Sequence, residues 1–494
     1  MPEITDEIKV REEKLKKLRE SGIEPYPYSY DIKENISAIV KKYKNKSEEE
    51  LEKEKIEIST AGRIIAKRIM GGASFFHLTN GKDKLQLYLK KNIVGNENYK
   101  LFKSFDLGDF VGVEGKLFKT RTGELTVVVE NFEFLSKCLL PLPEKWHGLQ
   151  DKELRFRQRY LDLFINPGSR EIFEKRFKMI REIRRFLDSR DYIEVETPMM
   201  QPIPGGAIAR PFITHHNALN MDLYLRIAPE LYLKRLLVGG FERVYEINRN
   251  FRNEGISSQH NPEFTMLEFY QAYSDFEDLI ELTEELFQDL IDKGIAPEKI
   301  EFEGDEIKLT PPFKKLDFIE AIEKYSPLSK EEILDKEKLI NHALKLAGED
   351  NLTPTYGKAL DYVFDEYVKE NLVQPTFVMN HPEEISPLSK PHRKMPGRTE
   401  RFELFMAKME LANGFSELND PEIQLQRFKE QVKDREAGDE EAHLIDYDYI
   451  KALQYGMPPA AGEGIGIDRL TMIITGTRSI KEVILFPLLK PKEE

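Results

Sequence analysis

The chain of 494 residues contains a single cysteine, Cys138. One cysteine excludes an internal disulfide and any metal site built from several cysteines, and such low usage suits a reducing compartment. No stretch approaches the roughly 20 apolar residues that a membrane helix requires. The acidic N-terminus also lacks the apolar run of a secretory signal. We therefore predict a cytoplasmic protein that does not enter a membrane.

Positive charge is also scarce, because 74 lysines and arginines stand against 88 acidic residues, for a formal net charge of -14. A protein this acidic does not coat nucleic acid through its overall field, although a local basic groove can still bind one. With 40% hydrophobic and 33% charged residues, the composition excludes disordered, fibrous and disulfide-rich classes. The length predicts about three domains.

The first 135 residues divide into a charged helical segment and a β-rich segment. Residues 6–20 predict a helix that Gly22 and Pro25 end, and 46–55 predict a second one. Both suit either a solvated surface or a helix lying against nucleic acid. Five short strand-type runs follow between 57 and 135, which is typical of a small closed barrel such as the OB-fold. Arg68, Phe75, Phe76 and Gln86 offer a surface for stacking single-stranded bases, while a purely structural barrel remains open.

A proline-containing linker at 141–148 leads into a long mixed α/β region. There, 172–187 predicts a helix with one apolar face, followed by a strand at 192–197 that Pro198 ends. A helix packed on a sheet explains this pattern, and a subunit contact is the alternative.

A predicted hairpin at 243–270 carries the first dense group of chemically useful side chains. Because side chains alternate along a strand, Glu268 shares one face with Phe264 and Tyr270. A glutamate buried among aromatics needs a cationic partner, and a bound ammonium would supply one. Arg252 and His260 flank the connecting loop and suit phosphate binding. The alternative is a surface hairpin with salt bridges.

Two later segments extend this set. Glu403 and Glu410 are expected to face each other across a hairpin, and with substrate phosphates they would form a Mg²⁺ site. Asn413, Phe415 and Glu417 share strand parity, so they line a pocket unless they face solvent. Glycines at 462, 464 and 466 leave one strand face bare, next to Arg469. Neither the dinucleotide-binding glycine motif nor a P-loop is present.

Together these segments resemble the three motifs of class II aminoacyl-tRNA synthetases. The helix and strand ending at Pro198 resemble motif 1, residues 251–268 resemble motif 2, and 462–469 resemble motif 3. The segments 204–207, 228–234, 265–270 and 413–420, with the opening helix at 11–22, are similar to the lysyl-tRNA synthetase family of bacterial type. The resemblance covers nearly the whole chain. Glu463 departs from it, standing where a small or apolar residue is expected.

The resemblance implies the activity and the roles of the site residues. Lysine and ATP would form lysyl-adenylate and pyrophosphate, and lysine would then pass to tRNA(Lys). Arg252 and Arg469 are the implied catalytic residues, and Glu403 and Glu410 would hold Mg²⁺, with several ions expected and some brought by ATP. The implied ATP-binding residues are Arg252, Glu254, His260, Asn261, Phe264 and Arg469. The implied lysine-binding residues are Gly206, Glu230, Arg252, Glu268, Tyr270, Asn413, Phe415 and Glu417. The implied anticodon readers are Arg68, Phe75, Gln86 and Glu124.

The resemblance also implies an α+β architecture and a homodimer. We expect a charged helical arm at 1–56, an OB-fold anticodon-binding domain and linker at 57–150, and a class II catalytic domain at 151–494, built on an antiparallel sheet flanked by helices. An aspartate or asparagine synthetase is the near alternative, but its pocket would need a cation for the substrate carboxylate. A protein-lysylating relative and a non-catalytic RNA-binding relative are the others. The stretch at 314–370 receives no role.

Overall fold

The computed structural model describes residues 5–143, 149–348, 355–436 and 444–491. Most of the predicted linker, 144–148, therefore lies outside the described residues, as does the part of 314–370 that covers 349–354. The chain forms two compact units, Met1–Arg170 and Glu171–Glu494, and each is considered by itself.

The first unit begins with helices and continues as a small barrel. Its elements are α1 (Asp6–Glu20), α2 (Ile36–Tyr43), α3 (Glu48–Glu54), β1 (Glu57–Met70), β2 (Ala73–Thr79), β3 (Lys84–Lys90), α4 (Lys91–Val94), α5 (Asn96–Ser104), β4 (Phe110–Lys119), β5 (Leu125–Ser136), α6 (Lys152–Arg157) and α7 (Arg159–Ile165). The predicted helix at 6–20 is confirmed, with Thr5 capping its N-terminus by accepting a hydrogen bond from the amide of Ile8.

The five strands close into a barrel in the order β1-β2-β3-β5-β4, which confirms the predicted OB-type architecture. Alternation along the strands sends one set of side chains inward, so that Phe76, Leu87 and Val127 are fully buried. Helices α2 and α5 add Ile39 and Phe102 to the same apolar core. The other set of side chains, including Phe75 and Gln86, stays partly exposed on the outer face of the barrel.

The second unit is built around one large sheet. Helix α8 (Pro167–Asp188) leads into it, and its further elements are β6 (Ile193–Glu194), β7 (Met200–Gln201), β8 (Ile213–His216), β9 (Met221–Leu225), α9 (Glu230–Val238), β10 (Arg243–Phe251), β11 (Glu263–Ala272), α10 (Phe276–Asp292), β12 (Lys299–Phe302), β13 (Asp305–Lys308), β14 (Lys314–Asp317), α11 (Phe318–Tyr325), α12 (Lys330–Leu334), α13 (Lys336–Ala347), α14 (Tyr356–Tyr367), β15 (Thr376–Met379), β16 (Arg401–Met406), β17 (Met409–Ser416), α15 (Pro421–Glu436), α16 (Tyr447–Gln454), β18 (Ala460–Gly466), α17 (Ile467–Thr475) and α18 (Ile480–Val483). Single 3-10 turns lie at Lys369–Asn371 and Glu383–Ile385.

The large sheet has eight strands in the order β14-β15-β16-β17-β18-β11-β10-β6. Its central strands, β15 to β10, are all antiparallel, while β14 and β6 add parallel edges. The sheet confirms the predicted class of fold. The strand predicted at 192–197 is shorter than expected, because only Ile193–Glu194 pairs with β10.

Helices cover both faces of this sheet, and their packing decides which side chains face the site. On one face α8, α10 and α17 bury residues such as Ile183, Phe287 and Leu470 against Leu267 and Phe269 of β11. On the other face α9 and α16 pack near Tyr270 and Phe415. Tyr270 and its neighbours of the same parity therefore point away from the main core, as the alternation predicted.

Two buried charges join α8, β11 and α17. Arg176 Nη1 lies 2.6 Å from Asp468 Oδ1, and the second carboxylate oxygen of Asp468 accepts the amide hydrogen of Thr265 at 2.7 Å. Removing one partner of such a buried pair costs about 3–5 kcal/mol. The pair thus fixes the start of α17, where Arg469 follows directly. Among the described residues, no helix combines the length and the apolar character needed to cross a membrane.

Candidate active site

A cavity of about 540 Å³ opens over β11, β16, β17 and β18 in the second unit. Residues from all three segments singled out in the sequence line it, which places them in one site. Those predicted residues are Gly206, Glu230, Arg252, Glu254, His260, Asn261, Phe264, Glu268, Tyr270, Glu403, Glu410, Asn413, Phe415 and Arg469. Glu417 does not line the cavity but lies fully buried beside it.

The loop between β10 and β11 brings cationic and aromatic groups together. The Arg252 guanidinium lies 5.1 Å from the centre of the Phe264 ring, and its Nε is buried without a hydrogen-bond partner among the described residues. Burial lowers the pKa of Arg252, and Glu254, Glu410 and Glu268 lie near enough to oppose that shift. A guanidinium with an unpaired buried donor is suited to bind an anion that enters the cavity.

His260 and Arg469 meet across the same cavity. Arg469 Nη2 donates to His260 Nε2 at 3.2 Å, and Arg469 Nη1 donates to the carbonyl oxygen of Glu410 at 2.6 Å. Burial and the neighbouring cations lower the pKa of His260 to about 4, so its ring is neutral at physiological pH. Asn261 donates to the carbonyl oxygen of Glu263 at 2.6 Å and leaves its own buried side-chain oxygen unpaired among the described residues.

The alternate glycines of β18 leave room for side chains of the neighbouring strand β11. A Cβ added to Gly462 would approach the Tyr270 ring to 2.2 Å, and one added to Gly464 would lie 3.0 Å from Met266 Cε. Glycine is required in a different way at Gly206, whose φ of +87° few other residues adopt and whose Cβ would lie 2.9 Å from that of Glu230. The bare strand face predicted from the sequence is therefore present.

Carboxylates crowd the end of the cavity formed by α9 and β11. Tyr270 donates to Glu268 Oε2 at 3.2 Å. Burial and the nearby Glu230 raise the pKa of Glu268 to about 8. Burial raises the pKa of Glu230 and raises that of Glu417 well above its ordinary value. Such an acidic, desolvated end would be stabilised by a cationic ligand.

The two carboxylates expected to hold a metal do not face each other as the sequence suggested. Glu403 pairs with Asn413, and Glu410 pairs with Phe405, because the hairpin turns directly after the pair Met406 and Met409. A bulge near Leu411 shifts the register by one residue and so places Glu410 opposite Phe405, which shares its strand face with Glu403. Both glutamates still line the cavity. Burial and the charge of Glu403 raise the pKa of Glu410, a repulsion that a divalent cation would relieve.

Glu403 already has two partners among the described side chains. Arg401 donates to it at 2.6 Å, and His381 Nε2 lies 3.5 Å away. Burial alone would raise the pKa of Glu403, but Arg401 and His381 outweigh burial and lower it to about 2. Among the described residues, no group of three or more acidic, histidine or cysteine side chains is placed to hold a metal ion alone. The two glutamates therefore suit a metal that takes its other ligands from a phosphate substrate.

The sequence reasoning missed several residues of this site. Lys234, fully buried between Glu230 and Glu417, could have been found from its spacing of four residues after Glu230 on one helix. Arg401 donates to both Glu403 and Asn413. Helix α14, from the stretch without a role, lines the cavity with Lys358, Asp361 and Asp365. No local pattern reveals that α14 lies there.

In the first unit, Arg68, Phe75 and Gln86 share the outer barrel face, as predicted for nucleic-acid binding. The same prediction is wrong for Phe76, because alternation along β2 turns its ring into the apolar core of the barrel. Phe75 stacks on Tyr88 with ring centres 4.4 Å apart, and Arg68 lies opposite Phe75 in the strand register. Gln86 donates to Glu124 at 2.7 Å. Arg68, Phe75 and Gln86 line a shallow open cavity. Exposed aromatic, cationic and amide groups together suit single-stranded nucleic acid.

Comparison with known proteins agrees with both units. Residues 151–490 match the family of tRNA synthetases class II (D, K and N), and residues 58–135 match the OB-fold nucleic acid binding domain. The chain therefore belongs to the class II tRNA synthetases.

Within that class, the similar curated proteins are lysine–tRNA ligases. One from Pelotomaculum thermopropionicum is 54% identical over 99% of this chain and 96% of its own length. Others from Syntrophomonas wolfei and Legionella pneumophila are 51% and 53% identical, over 99% and 97% of this chain and 98% and 97% of theirs. The chain belongs with this lysine–tRNA ligase family.

Glu463 provides a test of the core beneath the site. Its two carboxylate oxygens accept hydrogen bonds from Thr283 of α10 at 2.8 and 2.7 Å, and burial raises its pKa from an ordinary 4.5 to about 8. The folded state thus holds this proton more tightly than the unfolded state. This site therefore costs stability progressively as the pH rises from about 4.5 to 8, and the full cost persists above that range.

We predict that Glu463→Gln, which cannot ionise, has nearly the wild-type free energy of unfolding at pH 5. At pH 8.5 its free energy of unfolding should exceed that of wild type by a few kcal/mol, since each pKa unit corresponds to about 1.4 kcal/mol. Urea unfolding at both pH values measures the difference. Glu301→Gln, on an exposed strand position, is the control. An identical pH dependence of Glu463→Gln and wild type would contradict the prediction.

Proposed function

We propose that this protein activates L-lysine with ATP and transfers it to the 3′ end of tRNA(Lys). The observation that carries the substrate assignment is the buried acidic end of the cavity, where Glu230 and Glu268 lie beside Glu417. A substrate with two ammonium groups balances this charge, whereas an aspartate side chain would add to it.

In the first step, the lysine carboxylate attacks the α-phosphorus of ATP, and pyrophosphate leaves with the electrons of the broken P–O bond. The nucleophile is already ionised, so the site needs no general base, and rate acceleration comes from positioning and charge stabilisation. Arg252 contacts the lysine carboxylate and the α-phosphate in this assignment. The unpaired guanidinium donor in the cavity supports that role.

ATP is assigned to the part of the cavity between the β10–β11 loop and α17. Phe264 and Arg469 enclose the adenine ring, and Arg469 also reaches the γ-phosphate. His260 and Asn261 with Glu254 place the phosphates and the base. The neutral ring of His260 supports this, because it accepts a hydrogen bond from Arg469 and directs that guanidinium across the cavity.

Glu403 and Glu410 are assigned as the protein ligands of Mg²⁺, with further ions carried by ATP. Mg²⁺ would neutralise phosphate charge. The Coulombic repulsion between these two glutamates supports the assignment. Lysine is assigned to Gly206 and Glu230 through its α-ammonium, and to Glu417 and Tyr270 through its ε-ammonium. Glu268, Asn413 and Phe415 complete that pocket.

In the second step, a hydroxyl of the terminal ribose of tRNA attacks the carbonyl carbon of the adenylate. The C–O bond to AMP breaks, and the proton of the tRNA hydroxyl passes to a phosphate oxygen of the departing AMP. We assign 1–56 as a helical arm, 57–150 as the anticodon-binding domain with its linker, and 151–494 as the catalytic domain. The anticodon readers are Arg68, Phe75, Gln86 and Glu124, and the place of action is the cytoplasm.

We also propose that the active form is a homodimer. Large apolar side chains are exposed on α8, the edge strand β6 and the small sheet β7-β9-β8, as a subunit interface requires. They are Phe177, Ile193, Met200, Ile213 and Met221, exposed from 36% to 64%. Sedimentation equilibrium showing an active monomer would contradict this assembly.

The first test is charging of unfractionated tRNA with labelled lysine, ATP and Mg²⁺, with aspartate and asparagine in parallel. We expect charging with lysine alone. Charging with either control amino acid would overturn the assignment of the acidic pocket, and no charging at all would overturn the proposed reaction.

We predict that Glu417→Gln raises the KM for lysine in ATP–pyrophosphate exchange about tenfold or more, with little change in the KM for ATP. Losing a buried charge partner of a ligand costs at least about 2 kcal/mol, and tenfold corresponds to 1.4 kcal/mol. Glu422→Gln, at an exposed position of α15, is the matched control. Equal rises in both KM values would remove Glu417 from the lysine site.

We predict that Phe75→Ala leaves lysine-dependent exchange unchanged but lowers kcat/KM for tRNA charging about 5- to 100-fold, since stacking one base is worth about 1–3 kcal/mol. Leu107→Ala, another exposed apolar position of the first unit, controls for surface truncation. Wild-type charging by Phe75→Ala would show that the barrel face does not read tRNA through this ring.

A further inference from the structure

Lys234 has no role in the assigned chemistry, although it is a fully buried cation next to the cavity. Its side chain is 0% exposed, and it projects from the middle of α9 behind the cavity wall. Burying an ammonium in the core is expensive unless carboxylates compensate it fully. An apolar residue would fill this helix position at lower cost, so the charge of Lys234 requires an explanation.

The ammonium of Lys234 bridges two carboxylates that come from different parts of the chain. Its Nζ donates to Glu230 Oε1 at 2.6 Å, and it also contacts Glu417 Oε2. It lies 5.1 Å from the centre of the Phe415 ring, which forms part of the cavity wall. Glu230 and Glu417 are the residues assigned to the α-ammonium and the ε-ammonium of lysine. One fixed cation therefore connects the recognition groups for both ends of the substrate.

The bridge leaves one face of Glu417 available to a ligand. Lys234 contacts Oε2, whereas Oε1 borders Gly462, where an added Cβ would lie 2.5 Å away. Among the described residues Oε1 has no hydrogen-bond partner, although it is buried. Gly462 itself lines the cavity. A donor that enters over the bare glycine face would therefore meet the unused oxygen, while Lys234 holds the carboxylate from behind.

The charges around this bridge explain why a fixed cation is needed. Glu268 and Tyr270 of β11 and Tyr449 of α16 also face the cluster. Burial raises the pKa of Glu417, Lys234 opposes that rise, and Glu230 and Glu268 add to it. Burial raises the pKa of Glu230 and Lys234 again opposes the rise, with a smaller contribution from Arg401. Burial alone would lower the pKa of Lys234 itself, but the carboxylates outweigh it and raise it.

We propose that Lys234 is a positioning residue which, by bridging Glu230 and Glu417, fixes the separation of these carboxylates and thereby selects a substrate whose two amino groups have the spacing of lysine. This inference rests on the proposed function and deepens it. The ε-ammonium meets the unused Oε1 of Glu417 and the α-ammonium meets Glu230, while Lys234 does not touch the substrate. Because one ammonium contacts both carboxylates, it holds them at one separation against their mutual repulsion. A diamino acid one methylene shorter, such as ornithine, does not match that fixed separation.

The test compares wild type with Lys234→Met, which keeps the length of the side chain but removes its charge. We expect the KM for lysine in ATP–pyrophosphate exchange to rise about tenfold to a hundredfold with the KM for ATP little changed. The ratio of kcat/KM for lysine over ornithine should fall about tenfold. Without its cation Glu417 ionises only at higher pH, so the acidic limb of kcat/KM for lysine should move up by about one pH unit.

Arg235→Met is the matched control, because Arg235 is the next residue on α9 and pairs with Asp446 at 2.7 Å, away from the cavity. Its loss should affect stability without moving the pH profile or the preference for lysine. A folded Lys234→Met protein with wild-type KM, pH profile and ornithine discrimination would overturn the proposal. Equal changes in the Arg235→Met control would reduce Lys234 to a structural role and would also overturn it.

Lys234→Arg tests the proposal if Lys234→Met does not fold. It retains the charge, so the pH profile should stay at the wild-type position, while the larger guanidinium displaces the carboxylates and lowers the preference for lysine over ornithine about tenfold. An unchanged preference in this variant would overturn the proposal. The proposed function is tested separately by exchange in the wild type, since failure there concerns the substrate and not Lys234.

Discussion

The burial of negative charge at one end of the cavity is the constraint on which the rest of the site depends. Glu268 and Glu417 are both desolvated, so that the ionisation of either one costs free energy unless a cation lies nearby. Lys234 contacts Glu230 and Glu417 directly, whereas Arg226 and Arg252 oppose the raised pKa of Glu268 without cancelling the rise. In the proposed function, this uncompensated negative charge favours a substrate with two ammonium groups, because its binding would complete a neutralisation that folding leaves incomplete.

The antiparallel sheet permits this arrangement, because one face of a strand lies against the apolar core and the other face lines the cavity. In β11, Leu267 and Phe269 enter the main apolar core, while Glu268 and Tyr270, which alternate with them along the strand, face the cavity. The glycines of β18 then leave the cavity face uncovered where a side chain would collide with Tyr270. The side chains that pack the core and those that line the cavity thus lie on opposite faces of the same strand.

Much of this was accessible from the sequence, because the signals were local. Strand alternation placed Glu268 and Tyr270 on one face, alternate glycines predicted the bare face of β18, and the short strands predicted a closed barrel. The expectation that Glu403 and Glu410 face each other was wrong, because the hairpin turns at Ala407 and Lys408, whose residue types do not signal a two-residue turn. The approach of α14 to the cavity was missed because it depends on packing between distant segments.

The electrostatics of the site also explain why its chemistry uses few proton-transfer groups. His260 is the imidazole closest to Arg469, and its lowered pKa keeps it a hydrogen-bond acceptor that orients this guanidinium. A protonated imidazole there would repel Arg469 and lose the contact. Arg252 remains cationic despite its burial, because a guanidinium is not deprotonated in proteins. In the proposed reaction a carboxylate attacks a phosphate, which requires stable positive charge at fixed positions, and Arg252 and Arg469 would provide that charge without a general base.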